Sequence, residues 1–442
     1  MSFGPPPAGF GPPPEAEGER GAGSPAAPVG SPPAAQQPSV PPSAPGWVAP
    51  TDVEQALYDA KVRGDWDAYF ATLGRELLYF EVVREKAEDG GIYPVFTRLP
   101  RTKESWWPVY TAGMLPAPGP DQVFHSETLR WLARTWRKSD PPFLVVNPGS
   151  PCEAYLPAAP PQSDAWARHQ SEVPLLDLPR RLRTLRVGGP LHGPVAHGLA
   201  CSAQLSVKNR LIWNAMAWHG TGYIDERRML KEWWGIHDRE EWAETLRRLQ
   251  EADMVSPVWE FVLGLRRSLA RDFGGHVDTE YWRQAAARVL RGRASEVVIT
   301  PDGVTSDPRP ESEVEAQIVG VQRLIGRITR YEARFRADGL LEGDQFVRSA
   351  DAWDLGRASA MALWGLGARY CTLEEAERHV ITAGRHCARE YHSWKDLSVG
   401  FALGRCLHFD EEEFGSWYEE MREAHHILTS DPGSPWLNIP FR

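Results

Sequence analysis

Four charged residues in the C-terminal part of the chain have the types and spacing that acid–base chemistry requires. Asp351, Asp354 and Arg357 lie within two helical turns of one another, and Arg405 follows on a later helical segment. Both arginines occupy stripes of apolar residues that recur at helical spacing and should face a core. An unpaired buried charge costs on the order of 3–5 kcal/mol, so each arginine needs a carboxylate partner. Asp351 and Asp354 are the nearest candidates.

Two interpretations of this polar cluster remain open from the residues alone. In the first, Asp351 caps a helix, Asp354 completes the cap, and the arginines form a structural ion-pair network. In the second, Asp351, Asp354, Arg357 and Arg405 form a pocket for a ligand or for catalysis. Active sites also gather buried charges, so the second interpretation predicts a hydrolytic or transfer enzyme with the two aspartates as catalytic residues.

Three helices must position these side chains within residues 351–407. Each predicted start is an oxygen-bearing side chain followed three residues later by an acid, the pattern of a capping box. The three pairs are Asp351 with Asp354, Thr372 with Glu375, and Ser393 with Asp396. Gly404, beside Arg405, would let a neighbouring helix approach closely. We expect a compact three-helix unit around the charged cluster.

The motifs of this region resemble those of a bacterial family of unknown function, number 1266 in its series. The resemblance is carried by A-W-D-L-G-R at 352–357, G-R at 404–405, W-W-G-I at 233–236 and D-P-x-S-P-W-x-x-x-P at 431–440. It covers residues 189–442. The resemblance implies an all-helical domain and supplies no established catalytic residues.

Length and composition set the outer bounds. A chain of 442 residues has room for two or three domains. Its net charge of −10 is spread along the chain, which argues against nucleic acid as a partner, because phosphate affinity needs clustered cations. The basic residues are nearly all arginine, a bias typical of a GC-rich genome, and the composition is of an actinobacterial type.

We predict a multidomain protein in four parts. Residues 1–50 form a disordered arm rich in Pro, Gly and Ala, residues 51–156 a small α+β domain, residues 157–188 a linker, and residues 189–442 a larger all-α domain. The linker contains a basic cluster, which either binds phosphates or forms a solvated face against an acidic domain; its members are Arg180, Arg181, Arg183 and Arg186.

In the α+β domain, residues 77–83, 92–98, 109–115 and 143–146 read as strands, and Ser126 reads as the start of a helix. The motifs G-D-W-D-A-Y-F at 64–70, P-V-F-T at 94–97 and L-V-V-N-P-G-S-P at 144–151 resemble the SseB-type N-terminal domain. That resemblance implies an interaction module without an agreed active site. In the all-α domain we predict one helix over residues 194–218 and a last helix over residues 411–428.

The remaining reactive side chains do not form a recognisable site. The five cysteines are odd in number and lie far apart, which favours free thiols in a reducing compartment. Cys371 precedes a predicted helix start, which could lower its pKa. No histidine spacing matches a helical zinc pair, and no apolar run is long enough to span a bilayer. We predict no cofactor, no metal, no membrane span and a cytoplasmic location.

Two hypotheses about function follow. The first is a non-enzymatic protein-interaction or adaptor protein of the bacterial cytoplasm with unknown protein partners, which the family names link to secretion or to toxin and immunity systems. The second is the hydrolytic or transfer enzyme described above. An enzyme would keep a carboxylate within reach of solvent in a concave site, whereas an adaptor would bury the charges and expose apolar surface elsewhere.

Overall fold

The computed structural model describes residues 46–98, 104–117, 119–159, 162–169, 178–216, 220–294, 298–300, 303–305 and 310–442. Within these residues a small α+β domain is followed by a larger all-α domain, which confirms the predicted fold class. The predicted N-terminal arm lies outside the described residues as far as residue 45. Its last residues do contact the fold, since Trp47 packs against the core of the α+β domain.

Short strands and helices alternate in the α+β domain. Its helices are α1 (Asp52–Arg63), α2 (Trp66–Leu73), α3 (Arg84–Glu88), α4 (Leu129–Thr135) and α5 (Gln162–Arg168). Its strands are β1 (Leu78–Val83), β2 (Thr97–Arg98), β3 (Ser105–Val109), β4 (Gln122–Glu127), β5 (Phe143–Val146) and β6 (Ala154–Pro157). β1 pairs with β4 antiparallel, and the second sheet has the order β2-β3-β5-β6. A bridge between Tyr79 and Tyr110 links the two sheets.

Three strand and helix predictions in this domain need correction. Of the strand predicted over 109–115, only Val109 is in a strand, as the last residue of β3. Residues 112–114 form a 3-10 turn instead. The strand predicted over 92–98 is reduced to Thr97–Arg98 and one bridge at Pro94. Ser126 does not start a helix, since it lies inside β4 and pairs with β1, and Thr128 caps the helix instead. The strands β3, β4 and β6 were not predicted.

The segment predicted as a linker contains ordered structure. Helix α5 begins at Gln162, and its Trp166, which is 1% exposed, belongs to the core of the α+β domain. Leu185, later in the same segment, exchanges two hydrogen bonds with the fully buried Asn214. The Asn214 Oδ1 accepts from the Leu185 amide at 2.7 Å, and the Asn214 Nδ2 donates to the Leu185 carbonyl at 2.8 Å. These bonds fasten the segment to the beginning of the all-α domain.

Twelve helices are described in the all-α domain. They are α6 (Gly193–Ala200), α7 (Ala203–Lys208), α8 (Tyr223–Trp234), α9 (Arg239–Gln250), α10 (Pro257–Phe273), α11 (Thr279–Ala294), α12 (Glu311–Ala337), α13 (Ala352–Gly367), α14 (Leu373–Glu390), α15 (Trp394–Phe409), α16 (Ser416–Ser430) and α17 (Pro435–Asn438). A short hairpin, β7 (Val298–Thr300) and β8 (Gly303–Thr305), precedes α12.

Two of the predicted helices in this domain have different bounds. The single helix predicted over 194–218 is two helices, α6 and α7, which meet at Ser202. The last long helix begins at Ser416 and not at residue 411, because the Asp410 carboxylate accepts hydrogen bonds from the Phe414 and Gly415 amides and holds the preceding residues in a turn. The C-terminal tail folds back onto this domain, and the Trp436 indole donates to the Ala200 carbonyl at 2.9 Å.

Helix α13 is buried over most of its length, with packing from α14, α15 and α9. Glycines permit these close approaches. A Cβ atom added at Gly404 of α15 would lie 2.5 Å from the Trp353 Cβ, as the prediction of a close helix crossing at this residue requires. A Cβ added at Gly365 of α13 would lie 2.1 Å from the Trp242 indole nitrogen of α9. The centre of the domain is therefore packed too tightly for larger side chains at these positions.

Candidate functional site

Asp354 and Arg357 form an ion pair as predicted, and both carboxylate oxygens of Asp354 accept hydrogen bonds from protein groups. The Asp354 side chain is 0% exposed and forms an ion pair with Arg357 one turn further along α13. Its Oδ2 also accepts hydrogen bonds from the Met254 amide at 2.8 Å and the Val255 amide at 2.7 Å, in the loop between α9 and α10. Asp354 thus ties α13 to that loop and leaves no free lone pair facing solvent.

Arg405 is buried as predicted, but its partner is a different acid. Its guanidinium donates to Glu420 of α16 at 2.7 Å, so neither Asp351 nor Asp354 neutralises it. Helix α16 packs along α15, and this packing brings Glu420 next to Arg405, which lies fifteen positions earlier in the chain. Burial lowers the pKa of Arg405, and Glu420 opposes that effect. The pair links α15 to α16.

The Trp353 ring lies between the two arginines. The guanidinium carbon of Arg357 is 4.2 Å from the ring centroid and that of Arg405 is 5.7 Å from it. A cation over an indole face gains electrostatic stabilisation, more so where water is excluded. Trp353 therefore adds cation–π stabilisation to both arginines, which Asp354 and Glu420 neutralise.

Asp351 does not belong to this cluster. It stands at the N-cap position of α13 but has helical backbone angles and no capping hydrogen bond, so the predicted box with Asp354 is wrong. Its neighbours are the carboxylates of Glu260 and Glu390 and the guanidinium of Arg267. Burial, followed by the charges of Glu260 and Glu390, raises the pKa of Asp351 to about 7. Burial also raises the pKa of Glu260.

The other two predicted caps are present. Thr372 and Glu375 form a reciprocal capping box at the start of α14. At α15 the Ser393 hydroxyl accepts from the Asp396 amide at 3.1 Å, while the Asp396 carboxylate accepts from the His392 amide instead of the Ser393 amide. Both helices thus begin where the pattern predicted.

The cysteines lie inside the fold. All five cysteines are buried free thiols. Burial, and then the Glu375 carboxylate, raises the pKa of Cys371 to about 12, so the expectation of a lowered pKa is wrong. In the described part of the chain, no group of three or more His, Cys, Asp or Glu side chains could hold a metal ion. Nor does any helix described there combine the length and apolarity needed to cross a membrane.

The basic cluster of the linker pairs with acids of both domains. Arg181 lies 2.8 Å from Asp52 and Arg183 lies 2.7 Å from Glu76, both in the α+β domain. Arg180 lies 2.6 Å from Glu423 of α16. Three members of the cluster thus pair with acids of the protein, while Arg186 is exposed. The arginines help to hold the two domains together.

A site that was not predicted lies where the domains meet. Glu226 in the first turns of α8 is 2% exposed and borders two narrow clefts that are partly open to solvent. The loop before α8 contacts the β1–β4 sheet: Tyr79 donates to the Gly220 carbonyl at 2.5 Å and Ser126 to the Thr221 carbonyl at 2.7 Å. The run D-E-R-R around Glu226 reads as a solvated face, so no local signal indicates its burial.

Comparison with known proteins gives one result. Residues 229–441 match the model of the family described as "Protein of unknown function (DUF1266)". The match starts 40 residues after the predicted boundary at 189, and the resemblance of residues 51–156 to an SseB-type domain stays a prediction. Searches of curated proteins and of solved structures find no match. The helical domain, from within α8 to the C-terminal tail, is therefore similar to the DUF1266 family.

Proposed function

We propose that the chain is a non-enzymatic protein-interaction protein of the bacterial cytoplasm. The proposal is supported first by the state of the predicted pocket. Asp354, Arg357 and Arg405 are buried and occupied with protein groups, so none of them is free to bind or activate a substrate. Such residues stabilise a scaffold, and its function then depends on the surface.

The observation that carries the proposal is an exposed aromatic pair at the end of the α10–α11 hairpin. Phe273 is 57% exposed and Tyr281 is 37% exposed, and their rings meet edge to face with centroids 5.1 Å apart. Arg288 lies over the Tyr281 ring at 5.5 Å. Aromatic residues and arginine dominate the energetic centres of protein interfaces, so this aromatic patch is suited to an apolar pocket on a partner protein.

A capture experiment tests the proposal. The full-length chain, a Phe273→Ser/Tyr281→Ser variant and a Val319→Ser control are each used to capture proteins from a bacterial cytoplasmic extract. Val319 is also an exposed apolar residue, 44% accessible on α12, so it controls for a general loss of surface hydrophobicity. We expect a partner whose purified form binds the chain and the control equally, and binds the double variant at least about tenfold more weakly. Equal binding by all three proteins, or no binding partner, would contradict the proposal.

A hydrolytic or transfer enzyme is the second candidate, and the surroundings of Asp351 favour it specifically. Two neighbouring carboxylates with raised pKa values, Asp351 and Glu260, are the arrangement in which one acid donates a proton while the other accepts one. Asp351 is partly accessible to solvent, unlike Asp354. This version of the enzyme keeps Asp351 from the original hypothesis and replaces Asp354 by Glu260.

The enzyme candidate has its own test. The chain is screened against chromogenic esters, phosphate esters and glycosides, and any activity found is measured again in Asp351→Asn and Glu260→Gln variants. The enzyme hypothesis expects each substitution to remove the activity with little change in melting temperature. An activity unaffected by both substitutions would exclude this pair as the catalytic site.

A further inference from the structure

Glu226 is a buried carboxylate, and only one of its two oxygens accepts hydrogen bonds from the described part of the chain. Its Oε1 accepts hydrogen bonds from the Thr221 amide at 2.9 Å and the Thr221 hydroxyl at 3.2 Å. Its Oε2 is buried and has no hydrogen-bond partner among the residues that the structure describes. Asp354 and Glu332, two other buried acids, each have an arginine, whereas Glu226 forms no ion pair with any residue that the structure describes. A buried acceptor left in this state costs free energy until a donor reaches it.

Glu226 is among the lining residues of both clefts. A Cβ atom added at Gly220 would lie 1.9 Å from Oε1, and one added at Gly367 would lie 3.2 Å from the Glu226 Cγ, so glycine at both positions lets the backbone pack closely against this side chain. The larger cleft combines apolar and polar lining, which includes Leu205, Ser206, Asn209, Ile212, Leu363 and Trp364. Mixed lining of this kind is typical of small-molecule sites.

The electrostatics of the cleft favour a cation. Burial raises the pKa of Glu226 to about 7, the two hydrogen bonds from Thr221 oppose the rise, and the Asp225 carboxylate adds to it. Tyr79 from β1, Tyr223 at the start of α8 and Arg369 after α13 are further titratable or charged groups near this point. Arg369 donates to the Gln122 carbonyl at 2.9 Å in the β1–β4 sheet. A ligand with a positive charge would therefore find an uncompensated carboxylate beside a tryptophan ring.

We propose that the larger cleft, which is lined by residues of the all-α domain, binds a small organic ammonium ion. Its N–H group donates to the Glu226 carboxylate, its charge also lies near the Trp364 ring, and its alkyl part packs against Leu205, Ile212 and Leu363. A carboxylate and an indole face are the two groups that proteins combine to recognise organic ammonium ions. The site is independent of the aromatic patch, so it stands whether or not the chain acts as an adaptor.

Isothermal titration of the full-length chain with butylammonium tests the proposal, with n-butanol as the neutral probe. Binding should be about tenfold tighter at pH 8 than at pH 6, because the ionised fraction of an acid with a pKa near 7 rises about tenfold over that range. Glu226→Gln should weaken binding at least about tenfold. Glu232→Gln, the same substitution at an exposed position of α8, should leave it unchanged.

Proton release gives a second measurement that does not depend on a variant. Titrations at pH 7 in two buffers with different ionisation enthalpies should show about half a proton released per bound butylammonium, because a half-protonated carboxylate must lose its proton to bind the cation. Binding without proton release would contradict the proposal. So would absence of binding at about 50 mM butylammonium, equal binding of butanol, or unchanged binding by a folded Glu226→Gln variant.

Discussion

Replacing Asp354 by Asn should destabilise the protein strongly, and the contacts of Asp354 set the size of the effect. The carboxylate accepts two backbone N–H bonds and pairs with Arg357, and it is 0% exposed. Asparagine keeps one acceptor oxygen, but it removes the charge that neutralises Arg357, which is itself only 8% exposed. A buried charge left without its partner costs about 3–5 kcal/mol. We expect the Asp354→Asn variant to lose about that much unfolding free energy.

A double-mutant cycle separates the ion pair from the other contacts of Asp354. Arg357→Met removes the cation but leaves the two amide bonds to Asp354, so its cost should be smaller, about 1–3 kcal/mol. Combining Arg357→Met with Asp354→Asn leaves neither charge uncompensated. The double variant should therefore be more stable than the sum of the single effects predicts, by at least about 1 kcal/mol.

Urea unfolding at pH 7, followed by tryptophan fluorescence and by far-UV circular dichroism, measures these free energies where the two transitions coincide. Glu374→Gln is the matched control, because Glu374 and Arg378 form an exposed pair at 2.8 Å on α14. The control should change stability by less than about 0.5 kcal/mol. A loss below about 1 kcal/mol for Asp354→Asn, or additive effects in the cycle, would refute a structural role for the pair. Loss of a measured activity at unchanged stability would instead favour the catalytic interpretation.

Three further predictions concern packing and protonation. Gly404→Ala should cost about 1–3 kcal/mol by thermal unfolding because its Cβ would meet Trp353 at 2.5 Å, while Gly320→Ala on open helix surface should stabilise by about 0.5–1 kcal/mol. Trp436→Ala should cost about 3–5 kcal/mol in urea unfolding, since the ring is 6% exposed. Burial lowers the pKa of His425 to about 4 in the folded protein. As the pH falls below about 6.5, this histidine therefore takes up a proton in the unfolded chain before it does so in the folded protein. Between pH 7 and pH 4 the wild type should lose about 3 kcal/mol more than His425→Gln, and parallel stability–pH curves would contradict this.

Helical periodicity was sufficient to predict that Arg357 and Arg405 are buried. Each arginine lies on a stripe of apolar residues, and a stripe defines which side of a helix faces the core. Periodicity does not define which helix comes to lie opposite. The sequence identified Asp354 as the partner of Arg357 because the two residues share a helix. It did not identify Glu420 as the partner of Arg405, because only the packing of α15 on α16 brings these two residues together.

The errors in the α+β domain have the same origin. The strand β3 contains Pro108 and two tryptophans, and it is stable because it pairs parallel with β5. Parallel pairing joins residues more than thirty positions apart, as at Trp107 and Leu144, and no local pattern reports it. Ser126 looked like a helix cap because its type and the helix after it fit that role. Its pairing with β1 decides the conformation instead.

Helix α8 explains why the family match and the predicted domain boundary differ. Tyr223 and Ile224, in its first turn, pack in the core of the α+β domain, while Met229 and Leu230 pack in a core formed by helices of the all-α domain. The match begins at residue 229, where the side chains of α8 turn from one core to the other. Glu226 lies between these two groups. Its burial therefore depends on both domains, and a chain shortened to residues 229–441 would lack the cleft while keeping Asp354, Arg357, Arg405 and Glu420. The ion pairs of the all-α domain and the larger cleft beside Glu226 can thus be tested separately: the pairs in the shortened chain if it folds, and the cleft only in a chain that retains its lining residues before position 229.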